Sequence, residues 1–115
     1  MKLYGIPNCD TVKKARAWLS SHHISSDFHD FKKHGASIAW LQEVAAQTGW
    51  EALLNKRGTT WRQLDDTTKS AVIDQPTAIA LMLIQPSLIK RPVLHANGRY
   101  HLSFSEQQYQ AIFGE

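Results

Sequence analysis

Apolar residues change their spacing several times along the chain, and each change marks an element. Lys2 to Gly5 is short, partly apolar and ends in glycine, which predicts a strand, and Ile6-Pro7-Asn8 then reads as a turn. From Cys9 the period becomes helical, with Val12, Ala15, Trp18 and Leu19 at spacings of three and four and Lys13, Lys14 and Arg16 on the other side. Asn8 is the expected N-cap, and Asp10 in the first turn complements the helix dipole. Ser26 to Phe31 alternates in part through Phe28 and Phe31 and predicts a second strand. Lys32, Lys33 and Gly35 read as a loop, and Ala36 to Gln47 returns to helical period through Ile38, Leu41, Val44 and Ala45. Trp50 to Ile73 reads as short helical pieces broken at Lys56-Arg57-Gly58. Pro76 opens a further helix at a first-turn position that proline tolerates, and this helix runs through Ile79, Met82 and Leu83 to stop near Pro86.

The C-terminal part carries the clearest local signals. Pro92-Val93-Leu94-His95-Ala96 and Arg99-Tyr100-His101-Leu102 flank Asn97-Gly98, a strong two-residue hairpin turn. Ser105 and Gln108 have capping-box spacing, and Tyr109, Ile112 and Phe113 follow on one helical face. The predicted order is β-α-β, a helical middle, then β-β-α. This is an α/β protein with a thioredoxin-like order: a mixed sheet of about four strands and a helical insertion at about residues 36–86 between its halves. No internal repeat or low-complexity tract interrupts it, and 115 residues suit a single domain over 1–115.

Composition narrows the function classes. The net charge is +3 with a pI of about 9.2, a mild basic excess that suits an anionic small molecule or an acidic protein patch. It lacks the Lys/Arg run of a dedicated nucleic-acid binder. One cysteine allows no internal disulfide and favours a reducing compartment. The N-terminal residues do not resemble a signal peptide, and the longest apolar run, Ala78 to Ile84, is far short of the roughly 20 residues that span a bilayer. A cytoplasmic, soluble protein with no membrane or nucleic-acid partner is expected. The histidines at 22, 23, 29, 34, 95 and 101 make no metal-ligand spacing with Cys9, so no metal is expected either.

Cys9 is the candidate for chemistry. A cysteine at the start of a helix faces unpaired amides and the positive end of the dipole, and both favour thiolate. A free cysteine with a pKa near 8.5 is only ~3% ionised at pH 7, whereas one lowered to ~6.5 is ~75% ionised. Lys13 and Lys14 would add to this, and Asp10 would work against it. A buried structural cysteine is the competing reading, disfavoured by its place after a strand and turn and between Asn8 and Asp10. Lys90-Arg91-Pro92 is the second candidate. In thioredoxin-like folds a cis-proline before the third strand lies against the thiol, which would put Arg91 near Cys9 to hold an oxyanion or carboxylate. An ordinary proline opening an edge strand fits the same residues. Lys56, Arg57 and Arg62 around Gly58 read either as an anion site or as a solvated basic loop.

Three segments now carry a resemblance: Tyr4 to Arg16 (YGIPNCDTVKKAR), Leu54 to Thr60 (LNKRGTT) and Ile89 to Leu94 (IKRPVL). Together with their spacing they cover nearly the whole chain and resemble the arsenate reductase-like family, which includes ArsC, the Spx and MgsR regulators and YffB-type proteins. The resemblance is greatest to the YffB-type branch. It implies a thioredoxin-like fold with Cys9 as nucleophile, Arg91 binding an anion, Asn8, Thr11, Lys13, Lys56 and Arg57 around it, and Pro92 shaping the groove for a thiol substrate. It also implies no bound cofactor, glutathione as co-substrate, and glutaredoxin or RNA polymerase as partners, depending on the branch. The chain departs from the arsenate reductase pattern at Asn55, where an anion-binding Arg is expected, and at Ser103, near the place of another. Val12 stands where Spx-type proteins carry the second cysteine of a Cys-x-x-Cys switch. A single thiol that exchanges with glutathione is therefore the expected chemistry, with arsenate reduction and RNA polymerase binding as alternatives.

Overall fold

A computed structural model describes residues 1–114. The chain divides into two compact units, one formed by Met1–Asp30 with Arg91–Glu115 and the other by Phe31–Lys90.

The first unit is a sheet with two helices. β1 (Lys2–Gly5) leads through a turn into α1 (Asp10–Ser21) and β2 (Asp27–Asp30), and later come β3 (Val93–Ala96) and β4 (Arg99–Leu102). The strand order is β2-β1-β3-β4. β1 runs parallel to β2, as a helical crossover requires, and antiparallel to β3, with Tyr4 opposite Val93 and Leu3 opposite Leu94. β3 and β4 form the hairpin expected at Asn97-Gly98, whose φ values of 54° and 76° give the double left-handed turn that suits sheet twist. Leu3, Ala15, Trp18, Leu19, Leu94 and Ala96 are buried together with Tyr109 of the C-terminal helix (Glu106–Phe113). Ser105 caps that helix by accepting the Gln108 amide at 3.0 Å, but the capping box is only half made. The Gln108 side chain turns instead to donate to the Leu102 carbonyl at 3.2 Å.

The second unit is helical. Its elements are α2 (Phe31–His34), α3 (Ile38–Thr48), α4 (Trp50–Leu53), α5 (Thr59–Arg62), α6 (Asp66–Ser70), α7 (Gln75–Ile84) and a 3-10 turn at Pro86–Leu88; the C-terminal helix is then α8. The turn α2 replaces the loop expected at Lys32 and Lys33. Buried Phe31 anchors it, and Gly35 at φ 62° closes it by donating to the Phe31 carbonyl at 2.9 Å. α7 starts where Pro76 indicated, with a full capping box between Asp74 and Thr77. Leu54 and Ile89 form an isolated antiparallel bridge, flanked by Asn55 N–H to Leu88 O at 2.7 Å and Lys90 N–H to Leu53 O at 2.8 Å. These bonds tie the end of the unit to its middle.

One close approach fixes how near β1 lies to α1. A Cβ on Gly5 would lie 2.8 Å from Cγ2 of Val12, a fully buried and stiff β-branched side chain. Only glycine lets the end of β1 lie this near the first turn of α1. Gly5→Ala is expected to destabilise the protein by about 1–3 kcal/mol through overpacking, measured by urea unfolding. An unchanged midpoint would show that Val12 yields freely.

Candidate active site

The turn after β1 decides where the only sulfur nucleophile sits. The Ile6 carbonyl accepts the Cys9 amide at 3.2 Å, which places Pro7 and Asn8 at the two corners of a tight turn, with proline where its fixed φ fits. The Cys9 carbonyl then accepts the Lys13 amide at 2.9 Å. Cys9 is therefore itself the N-cap of α1, with φ −88° and ψ 127°. Asn8, the cap expected from sequence, is consumed by the turn and lies exposed one residue outside the helix.

An N-cap side chain faces the amides of the second and third helical residues, here Thr11 and Val12. The thiol makes no full capping hydrogen bond, as befits a weak acceptor, but those amides are within electrostatic reach of the sulfur and favour its charged form. Burial is the largest single influence on Cys9 and pushes its pKa up. The Val12 amide, the Arg91 side chain and the Thr11 amide, with the Arg91 charge in addition, outweigh it, so the thiol lies below its ordinary value. Cys9 is half-buried, shielded yet reachable.

Arg91 arrives from the far end of the chain. The pairing of Tyr4 with Val93 sets the residues before β3 beside the end of β1, so Arg91 and Pro92 border the turn that holds Cys9. The Arg91–Pro92 peptide is cis. Pro92 is buried, and its carbonyl accepts the Ser103 amide at 2.8 Å. Ser103 adopts φ 66°, a left-handed conformation uncommon for a residue other than glycine.

Of the residues singled out by sequence, the structure thus brings Thr11, Arg91 and Pro92 to the thiol, Thr11 through its backbone amide. Lys13 is exposed and is not among the groups that lower the thiol's pKa, a correction to the support expected of it. Its side chain leaves the helix on the solvent side, whereas the dipolar effect comes from the amides. Val12 was missed, although the three-residue spacing from Cys9 is the N-cap-to-N3 relation and was open to reading. Lys56 and Arg57 belong to the helical unit. The Lys56 ammonium lies over the Trp61 and Trp50 rings at 5.4 and 6.0 Å, and the Arg57 amide donates to Asn55 Oδ1 at 3.2 Å. Among the described residues no cluster of three His, Cys, Asp or Glu side chains is placed to hold a metal, and no helix is long and apolar enough to cross a membrane.

A thiol at the head of the first helix, beside a proline that opens the third strand of a mixed four-stranded sheet, defines a thioredoxin-like fold. The chain belongs to the ArsC family, whose model matches residues 4–112. It is 44% identical over 111 residues to an uncharacterised protein of Haemophilus influenzae, covering 96% of both chains. It is 28% identical over 112 residues to the global transcriptional regulator Spx of Streptococcus mutans, covering 96% of this chain and 80% of Spx. Among solved structures it resembles the YffB protein, with a TM-score of 0.91, 49% identity and 96% of each chain covered. An arsenate reductase (ArsC) related protein of Brucella melitensis matches with a TM-score of 0.77 and 46% identity over 99% of this chain and 94% of that one. The protein is therefore arsenate reductase-like in family and fold, with Spx proteins among its relatives.

The influence of Arg91 on the thiol has a kinetic signature. Arg91→Met keeps an unbranched side chain and removes the charge, which raises the thiol pKa. A higher pKa removes thiolate at pH 6 faster than it raises the intrinsic nucleophilicity of what remains. Iodoacetamide alkylation of Cys9 at pH 6 is then expected to slow severalfold, with the difference vanishing or reversing in strong alkali. Equal rates at pH 6 would show that Arg91 does not act on the sulfur.

Proposed function

We propose that this chain is a glutathione-dependent thiol oxidoreductase that works through Cys9 alone. The observation that carries the reading is the lowered thiol pKa, produced by the Val12 and Thr11 amides and Arg91 against the opposing effect of burial. In the reaction, the Cys9 thiolate attacks the glutathionyl sulfur of a mixed disulfide. A Cys9–glutathione disulfide forms and the substrate leaves as its thiolate. A second glutathione thiolate then attacks the glutathionyl sulfur, releasing oxidised glutathione and restoring Cys9. In sum, one substrate–glutathione mixed disulfide and one free glutathione thiolate become a substrate thiolate and oxidised glutathione, and no second protein cysteine is required.

Arg91 serves such a cycle by pairing with a carboxylate of the incoming tripeptide, and Pro92 supplies the wall along which an extended thiol substrate lies. Asn8 and Lys13, exposed before and after Cys9, are left for the outer parts of an anionic substrate. The chemistry belongs in a reducing, cytoplasmic setting, where glutathione is abundant. Val12 in place of a second cysteine supports a monothiol cycle over a Cys-x-x-Cys switch. Asn55 and Ser103 in place of two anion-binding arginines argue against efficient arsenate reduction, since one well-aimed donor to a developing charge is typically worth ~3 kcal/mol. The Spx relatives supply a second reading, that of a regulator binding RNA polymerase.

Incubation with oxidised glutathione at neutral pH, followed by intact-mass and peptide mass spectrometry, tests the proposal. One glutathionyl group is expected on Cys9, reversed by excess reduced glutathione and absent from Cys9→Ser. A chain that forms no adduct, or forms one that glutathione does not remove, is not a reductase of this kind. Capture of RNA polymerase undiminished in Cys9→Ser, together with no adduct, would transfer the assignment to the regulatory reading.

A further inference from the structure

The β3–β4 hairpin ends, at its open end, on an unequal rung. The register that pairs Val93 with Leu102 sets Pro92 opposite Ser103. A complete rung of this kind exchanges two backbone hydrogen bonds, but proline has no amide to give. The bond from the Ser103 amide to the Pro92 carbonyl, at 2.8 Å, is the half that proline allows. It depends on a serine at φ 66°, a region that residues other than glycine, Asn and Asp seldom adopt without support.

The support comes from α8. Ser105 is its N-cap, so Phe104 and Tyr109 stand at the two positions of a hydrophobic staple. Their rings meet edge to face at 4.6 Å, and Tyr109 is fully buried. Gln108 stands at the third helical position, where a glutamine ordinarily reaches back to the N-cap amide and completes a capping box. Its Nε2 instead donates to the Leu102 carbonyl at 3.2 Å. Bonded pairs alternate along the hairpin from Ala96–Arg99 at the turn, so the Leu102 carbonyl points away from β3, and Gln108 supplies its partner. Ser103 is thus held from both sides, with Leu102 fastened by Gln108 and Phe104 by Tyr109.

We infer that Gln108 is a positioning residue for the thiol site. By holding Leu102 it fixes Ser103, whose amide sets the Pro92 carbonyl and with it Arg91, which borders Cys9. A side chain serving only its own helix would have closed the capping box; this one reaches to the strand that supports the proline. The inference rests on Cys9 as the working thiol, but not on glutathione as its substrate.

Iodoacetamide alkylation of Cys9 followed against pH in the full chain tests it. Gln108→Met keeps the length of the side chain and removes the donor. Its midpoint of rate against pH is expected to move up, toward that of Arg91→Met, with the helical circular dichroism unchanged. Gln107→Met, at the exposed neighbouring position, should leave the midpoint in place. In an Arg91→Met background Gln108→Met should add nothing, because Gln108 reaches the sulfur only through Arg91. A purely structural role for Gln108 would not give that pattern. If Gln108→Met unwinds the start of α8, Gln108→Glu decides the matter, since glutamate can complete the capping box but cannot donate when ionised. Measured in high salt, which screens the added charge, it should show the same upward shift and the same loss of effect beside Arg91→Met. An unmoved midpoint in these variants, or a shift that persists in full beside Arg91→Met, would overturn the proposal. The glutathione reading fails separately, by absence of an adduct on wild-type Cys9, and the midpoints do not depend on it.

Discussion

The Cys9 sulfur sits between two sources of positive potential drawn from opposite ends of the chain. One is the pair of unsatisfied amides, Thr11 and Val12, at the head of α1. The other is the guanidinium of Arg91, which stands just before β3. Eighty-one residues lie between positions 9 and 91 in sequence, and the antiparallel pairing of β1 with β3 brings them together. That pairing is the constraint on which the site depends. A slip of one residue would turn Leu3 and Leu94 out of the core and carry Arg91 away from the thiol. The local packing has the same purpose: Gly5 lets β1 end against Val12, and the Ser103 amide fastens the Pro92 carbonyl from the neighbouring strand.

The balance at the sulfur shows why a lone cysteine can be both sheltered and reactive. Burial alone would raise its pKa and leave an inert thiol, the common fate of a cysteine in a core. Three groups overcome that effect, and two of them are backbone amides whose position no side-chain substitution in α1 directly removes. Ser103 illustrates a related economy. It stands near the place where the arsenate reductase pattern carries an arginine, and here a residue in a left-handed conformation contributes its backbone to the proline segment.

Much of this was legible in the sequence wherever local chemistry decides structure. Asn97-Gly98 forms its hairpin because both residues tolerate positive φ, Ser105 caps α8, and Pro76 opens α7 because helix starts need no donor there. The misses fall where local signals compete. Asn8 and Cys9 both precede a helical pattern, and the turn that Pro7 initiates took Asn8, leaving the sulfur as the cap. Lys32 and Lys33 look like loop residues, yet buried Phe31 winds them into a helical turn. At the site, the favourable helix-head amides were legible in general, but that they belong to Thr11 and Val12 follows only once Cys9 is placed as the cap, and Lys13, also expected to act, does not. Arg91 was legible only through the fold, because no local pattern links it to position 9.

The central claim is that folding lowers the pKa of Cys9. Thiolate absorbance near 240 nm, followed across pH for the folded chain and for the same chain unfolded in urea, measures this directly, with Cys9→Ser as the blank. The folded midpoint is expected below the unfolded one. By linkage, the thiolate then adds stability that is fully present above the unfolded midpoint and lost as pH falls through the folded one. A folded midpoint equal to or above the unfolded one would mean that burial wins at the sulfur, and Cys9 would then be an inert thiol.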